Sequence, residues 1–174
     1  MVRSTAKFLT ALVGLTFSGQ AFAQASDAET TTASVTLAAP IALTETAALQ
    51  FGQVAKGTTG TNTVTINETN GNRSISGGGN AALVTGGTTG RAAYSVTGQD
   101  AATFSITLTS SSINLTDGGT GSLAATLTRS ATTGTLTGGT ATFGIGGTLT
   151  IDNTDATDAA GAYSGDFEVT VAYN

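Results

Sequence analysis

The sequence has no cysteine, no histidine and no tryptophan, one proline and few charges. Without cysteine there is no disulfide and no thiolate nucleophile; without histidine there is no imidazole base. Zinc sites built on Cys or His are closed for the same reason. Basic residues are scarce, six in all, and two of them, Arg3 and Lys7, stand at the very start. No long hydrophobic run is present either. The uncharged, largely apolar stretch FLTALVGLTF, Phe8 to Phe17, falls short of the roughly 20 residues that span a membrane. With the basic residues before it and AFAQA (Ala21–Ala25) after it, this stretch reads as a secretory signal peptide, residues 1–23. Cleavage is expected after Ala23, with Ala25 as the alternative. Removal leaves four basic residues, Lys56, Arg73, Arg91 and Arg129, against eleven acidic ones, a net charge of about −7. Four scattered cations give no footprint for nucleic acid and no basic face for anionic lipid. Neither nucleic acid nor membrane insertion is expected. An exported chain is free to form disulfides; this one relies on packing and sheet hydrogen bonds.

Thr, Ala and Gly fill the space the absent residues leave. Thr favours strands, where its branched Cβ suits a pleated surface, and glycine clusters at Gly77–Asn80, Gly86–Gly90 and Asp117–Gly121 mark turns. Alternating runs between them predict strands at Ile41–Leu43, Leu49–Val54, Thr63–Ile66, Arg73–Ser76, Ala92–Thr97 and Thr103–Leu108. Further strands are predicted at Ile113–Leu115, Ser122–Leu127, Ala141–Ile145, Gly147–Ile151 and Asp166–Tyr173. Short strands at regular spacing with glycine-rich turns argue for an all-β sandwich. An outer-membrane barrel is disfavoured, because the aromatics are not gathered into two girdles.

Pro40 separates the leading stretch, residues 24–39, from residues 40–174, which read as the sandwich domain. In the leading stretch Ala33, Val35, Leu37 and Ala39 alternate with Ser34, Thr36 and Ala38. Proline sits best at a strand edge or start. The stretch is therefore either an extension ahead of the domain or the first strand of its own sandwich, and periodicity does not choose. At the other end, Phe167, Val169, Val171 and Tyr173 alternate with Asp166, Glu168, Thr170 and Ala172, the period of a strand with one buried face. This best-patterned strand runs to the end of the sequence, where frayed polar tails are usual.

Tyr173, next to last, the alternating apolar residues and Gly161, fourteenth from the end, resemble the C-terminal signature of chaperone–usher pilins. A second resemblance covers LQFGQVAKG (Leu49–Gly57), YSVTGQDAATFSITL (Tyr94–Leu108), GIGGTLTI (Gly144–Ile151) and GAYSGDFEVTVAYN (Gly161–Asn174). It is to a family of secreted bacterial domains of unknown function, similar to Mat/Ecp-type fimbrial major subunits. These resemblances imply an Ig-like β-sandwich that is incomplete and is completed by a donor strand. Ala33, Val35, Leu37 and Ala39 would be the donor, and Phe167, Val169, Val171 and Tyr173 the acceptor groove, since ending at Asn174 leaves nothing to fold back into it. Gly161, Tyr173 and Asn174 would serve chaperone recognition. The implied partners are other copies in a linear polymer, a periplasmic chaperone and an outer-membrane usher. The implied location is the cell surface, reached through the periplasm, with adhesion or biofilm formation as the use. The alternative is a self-contained secreted sandwich that binds carbohydrate or biofilm matrix.

Three stretches invite chemistry and are read blandly. DNTDATD, Asp152–Asp158, offers Asp152, Asp155 and Asp158 to a calcium ion. Thr157 and Tyr163 stand where an EF-hand needs Gly and Glu, so a solvated hairpin loop is expected and no metal. GTATFGIGGT, Gly139–Thr148, lacks the ending of a phosphate loop, and its glycines read as close packing within strands. Asp166 and Glu168 share one strand face without an apolar setting, so a glycosidase pair is not expected. No enzymatic activity and no cofactor are expected.

Overall fold

A computed structural model describes residues 26–174. The expected signal peptide and both cleavage positions lie outside the described residues. Residues 26–36 belong to one unit and Leu37–Asn174 form another. In the first, no residue is in a strand and every one is exposed. The second is all β, with the strands β1 (Ala42–Ala47), β2 (Gln50–Phe51), β3 (Val54–Ala55), β4 (Thr61–Ile66), β5 (Arg73–Gly77), β6 (Ala82–Leu83) and β7 (Thr89–Gly90). There follow β8 (Ala92–Thr97), β9 (Thr103–Leu108), β10 (Ser112–Thr116), β11 (Ser122–Arg129), β12 (Thr133–Thr135), β13 (Thr140–Asp152) and β14 (Val169–Tyr173).

The strands build a sandwich of unequal layers. The larger sheet runs β1-β8-β13-β11-β10, with β4 and β5 continuing from β13. The smaller runs β12-β9-β14, and β2–β7 and β3–β6 are short separate pairs. All pairings are antiparallel. Between the sheets, Tyr94, Val96, Phe143 and Ile145 of the larger pack with Phe104 and Ile106 of the smaller. Tyr94 and Phe143 stack with ring centroids 5.1 Å apart. Burial, and then the nearby Glu45 charge, push the Tyr94 hydroxyl pKa up. A second cluster, Val64, Ala125, Leu149 and Ile151, is packed by half-buried residues including Phe51, Val54 and Leu83 of the short pairs. The small sheet does not extend over it. That inequality shapes the site described below.

β13 is the hub, and the prediction of two strands with a break at Gly146 is corrected to one 13-residue strand. One of its edges passes from β8 (Ile145↔Ala92) to β4 (Gly147↔Ile66). At that handover the backbone after β4 crosses so closely that a Cβ on Gly146 would strike the Ile66 carbonyl and the Glu68 backbone. Close approach is the reason for glycine there. The predicted strand Leu49–Val54 is likewise corrected, in the opposite sense, to the two pieces β2 and β3. Gly52 turns between them with φ +72°, and Arg73 donates to the carbonyls of Phe51 and Gln53 (both 3.1 Å) on either side. β8 and β9 fall on their predicted bounds.

One end of the sandwich is closed by two buried asparagines. Asn153 Nδ2 donates to Asn62 Oδ1 (2.8 Å) and to the Thr59 carbonyl (3.1 Å), and its Oδ1 accepts from the Gly57 amide (2.9 Å). Asn62 Nδ2 donates to the Ser76 and Gly79 carbonyls (both 3.2 Å), and its Oδ1 also accepts from the Ala81 amide (2.9 Å). Among the described residues no buried side-chain polar atom lacks a partner. Burying an amide is tolerable only when its donors and acceptors are matched in this way.

Candidate strand-acceptor edge and cleft

β14 pairs with β9 alone. The Thr109 amide donates to the Glu168 carbonyl (3.2 Å) and the Asn174 amide to the Thr103 carbonyl (3.1 Å). In an antiparallel ladder only alternate residues exchange bonds with a given neighbour, so the even-numbered positions face β9. The backbone groups of Val169, Val171 and Tyr173 point the other way, where no described strand pairs with them. Their side chains, with that of Phe167, are half-buried against the inter-sheet core. The predicted strand Asp166–Tyr173 is thus shortened to Val169–Tyr173, while the inward phase of Phe167 is kept. An apolar strand with a free edge is the result, an arrangement that ordinarily invites pairing with another chain.

Tyr173 does more than fill the core. Its hydroxyl donates to the Ala39 carbonyl (2.8 Å) and accepts from the Gln99 amide (2.7 Å). The Ala39 amide in turn donates to Gln99 Oε1 (3.2 Å). The last residue of β14 therefore fixes the chain just ahead of Pro40. Of the four proposed donor residues, Ala39 is held by this clasp. Val35 and Leu37 are 84% and 87% exposed and are the exposed large hydrophobic residues among those described. Ala33 is exposed as well.

Ahead of β14 the same margin opens into a cleft of about 950 Å³. Leu115, Leu123, Leu149 and Ile151 of the larger sheet line it, with Leu49–Val54 and Asp158–Phe167 also bordering it. Those four residues, with Phe51 and Val54, belong to the second apolar cluster, over which the small sheet does not reach; Leu49 and Phe167 pack on the inter-sheet cluster. A family model described as a domain of unknown function (DUF4402) matches residues 41–173. The chain belongs to the DUF4402 family. Comparison with curated proteins and with solved structures finds no match.

The DUF4402 match begins at Ile41, directly after Pro40, so Ala33, Val35, Leu37 and Ala39 lie outside it and the whole β14 edge lies inside. Gly161, proposed for chaperone recognition, is exposed in the stretch preceding β14. An added Cβ would meet only ordinary contacts with Asp117 and Tyr163, so intramolecular packing does not demand glycine there. Asn174, the third proposed recognition residue, is exposed and engages Thr103 through its amide.

Asp152, Asp155 and Asp158 are not gathered into one oxygen cage; among the described residues no cluster of acidic side chains is arranged to hold a metal. Asp152 accepts from the amide (2.9 Å) and hydroxyl (2.7 Å) of Thr154, and Asp155 from those of Thr157 (2.8 and 2.7 Å). These bonds, the hydroxyl first, hold both carboxyls below their usual range. Asp158 is buried and accepts from the Ser122 amide (3.3 Å). The Lys56 ammonium caps the main-chain carbonyls of Asp155 and Asp158. The loop is a pair of side-chain-stabilised turns, and the expected solvated hairpin is corrected: β13 and the following β14 lie in different sheets, and Asn153 and Asp158 are buried. The sequence did not flag the cleft, because Phe51, Leu115, Leu123 and Leu149 come from four strands and each looks like ordinary core.

Proposed function

We propose that this DUF4402 chain is a structural subunit of a surface fimbria, polymerised when the Ala33–Ala39 strand of one copy pairs with the β14 edge of another. One observation carries the reading: among the described residues, the two exposed large apolar side chains lie on an alternating extension without a strand partner, while the half-buried apolar strand β14 has an unpaired edge. Each needs what the other offers. The resemblance of the C-terminal signature to chaperone–usher pilins, and of the longer stretches to Mat/Ecp-type fimbrial subunits, supports the same reading. So does the cleft, which gives an incoming strand further apolar surface beyond Phe167. The partners on this reading are other copies, a periplasmic chaperone that covers the edge before assembly, and an outer-membrane usher. Adhesion or biofilm formation is the use. The role is assembly rather than catalysis.

Burying Val35 and Leu37 contributes about 1.5–3 kcal/mol each, and each new ladder bond about 0.5–1.5 kcal/mol. Against these stand the costs of association and of ordering the extension. The test is electrophoresis in SDS of material sheared from cells, with and without boiling. A ladder that collapses to monomer on boiling is expected, since no cysteine is present to cross-link it. Val35→Asp with Leu37→Asp should abolish the ladder. Monomer in both wild-type lanes would overturn the reading and turn attention to matrix binding in the cleft.

A further inference from the structure

Two polar groups that line the cleft are left unspent by the fold. Glu45 of β1 stands opposite Tyr94 of β8 in the ladder register, so the two side chains share a face with Cβ atoms about 5 Å apart. It is the inward face: Tyr94 stacks on Phe143, and Leu43, in phase with Glu45, packs on the inter-sheet cluster. Tyr94 is 8% exposed. The hydroxyls of Tyr163 and Tyr173 are bonded within the chain, whereas that of Tyr94 has no hydrogen-bond partner among the described residues. Every fully enclosed polar side-chain atom among them has one, so the Tyr94 oxygen opens to the cleft that Tyr94 and Glu45 both line. Glu45 is equally unmatched. The four basic side chains bond main-chain carbonyls instead: Lys56 those of Asp155 and Asp158, Arg73 those of Phe51, Gln53 and Val84, Arg91 that of Glu68, and Arg129 that of Ile106.

We propose that the cleft is a binding site for a primary ammonium group on an aliphatic stem, the lysine side chain of an extended segment of a partner protein. The Glu45 carboxylate supplies the counter-charge, and the Tyr94 oxygen accepts one of the three ammonium hydrogens. A lysine stem lies along apolar surface while its head reaches polar groups, and the cleft supplies that surface in Phe51, Leu115 and Leu149. Anionic ligands are disfavoured, because Asp158 and Asp166 line the cleft as well and meet them with like charge. A neutral sugar could bond the same two groups but leaves the Glu45 charge unmatched. An extended segment is the source because the lining reaches Phe167, two residues ahead of β14, whose outward backbone groups lack a strand partner among the described residues. A strand laid on that edge runs on past Phe167 into the cleft. The extension of another copy does not fit, since residues 24–39 carry Asp27 and Glu29 as their only charges. The partner is therefore a different protein. The ammonium site stands on the cleft alone; its use by a segment paired with β14 rests on the strand-addition reading above.

The test uses the full mature chain with Val35→Asp and Leu37→Asp, which removes strand exchange, and follows the Tyr94 ring by NMR, assigned with Tyr94→Phe. Hexylammonium should shift the ring resonances saturably, whereas hexanol and hexanoate should not. Glu45→Gln should weaken the amine at least about tenfold with an unchanged melting curve. Tyr94→Phe, read at the Phe167 ring, should weaken it without loss of stability, because no bond within the chain is removed. An acetylated and amidated Val-Thr-Lys-Thr-Val peptide should bind at least about tenfold more tightly than hexylammonium through its added ladder bonds, and norleucine in place of its lysine should abolish that binding. Equal binding of amine and alcohol, or indifference to Glu45→Gln, overturns the site. Amine binding without peptide binding overturns the lysine source, and a shift of Tyr94 by cellobiose but not by hexylammonium assigns the cleft to neutral sugar. Should hexylammonium bind as expected while the extension fails to pair with β14, the strand-exchange reading falls and the ammonium site stands.

Discussion

At the Asn62–Asn153 end of the sandwich, each side-chain amide hydrogen has an acceptor and loops from three parts of the chain are tied together. Along β14, an apolar strand has no strand partner, among the described residues, for the outward-pointing half of its backbone. The first region is finished within one chain; the second leaves one edge open among the described residues. Both sit on the same hub, since Asn153 directly follows β13, whose Phe143 and Ile145 pack in the cluster that Val169 and Val171 border. Saturated hydrogen bonding locks geometry, whereas an open apolar edge stores a capacity to bind.

The largest expected effect lies at the closed end. Asn153→Ala strips the Gly57 amide and the Thr59 carbonyl of their partner and costs Asn62 Oδ1 a donor. At about 1–3 kcal/mol for each buried group left unpaired, urea unfolding should show a loss of about 3 kcal/mol or more. A loss below about 1 kcal/mol would erase the contrast between the two ends. Next comes the open edge. A synthetic peptide of residues 30–40, added to chain carrying Val35→Asp and Leu37→Asp, should raise its stability by about 2.7 kcal/mol at a hundredfold excess over Kd. The same peptide with Leu37→Asp should leave the melting temperature unmoved.

Tyr173→Phe tests the clasp between the regions. Loss of the hydroxyl that joins Ala39 and Gln99 should cost about 1–2 kcal/mol and speed hydrogen exchange at the Gln99 amide, while the packed ring stays in place. Unchanged exchange at Gln99 would detach Tyr173 from the root of the extension. The smallest effect concerns the Asp152–Asp158 loop. Asp152 and Asp155 have carboxyls held below their ordinary value, so their contribution is fully present above the unfolded value of about 3.9. It is lost as pH falls through the lower folded values. Amide shifts of Thr154 and Thr157 should follow that titration, and Asp152→Asn with Asp155→Asn should flatten it.

Much of the fold was legible because alternation reports a buried face. β8 and β9 show it without interruption, and their predicted and observed bounds coincide. The same logic placed Phe167, Val169, Val171 and Tyr173 on one face. It failed at β13, where Gly144 and Gly146 look like punctuation but admit a crossing chain, and at Leu49–Val54, where an arginine distant in sequence claims the carbonyls. Of the two buried asparagines, Asn153 reads as part of a solvated loop and Asn62 is not singled out, because nothing local distinguishes a turn amide from a core one. β12, the three residues Thr133–Thr135, is too short and polar to announce itself; Gly134 is there to make room for the Phe104 ring. The cleft was invisible for a related reason: an absence of cover belongs to the assembled sheets, and no segment carries it.

The absence of cysteine permits a direct test of strand exchange. Chain bearing Leu37→Cys would be mixed with chain bearing Val169→Cys, Val171→Cys or Tyr173→Cys, oxidised, and resolved without reductant. Adjacent strands bring Cα atoms within the roughly 4.4–6.8 Å that a disulfide spans. The expected result is a disulfide between copies with one of the three and a far weaker product for Thr36→Cys, which has the opposite phase. No disulfide with any of them, or equal yields for Leu37→Cys and Thr36→Cys, would contradict the pairing of this extension with the β14 edge.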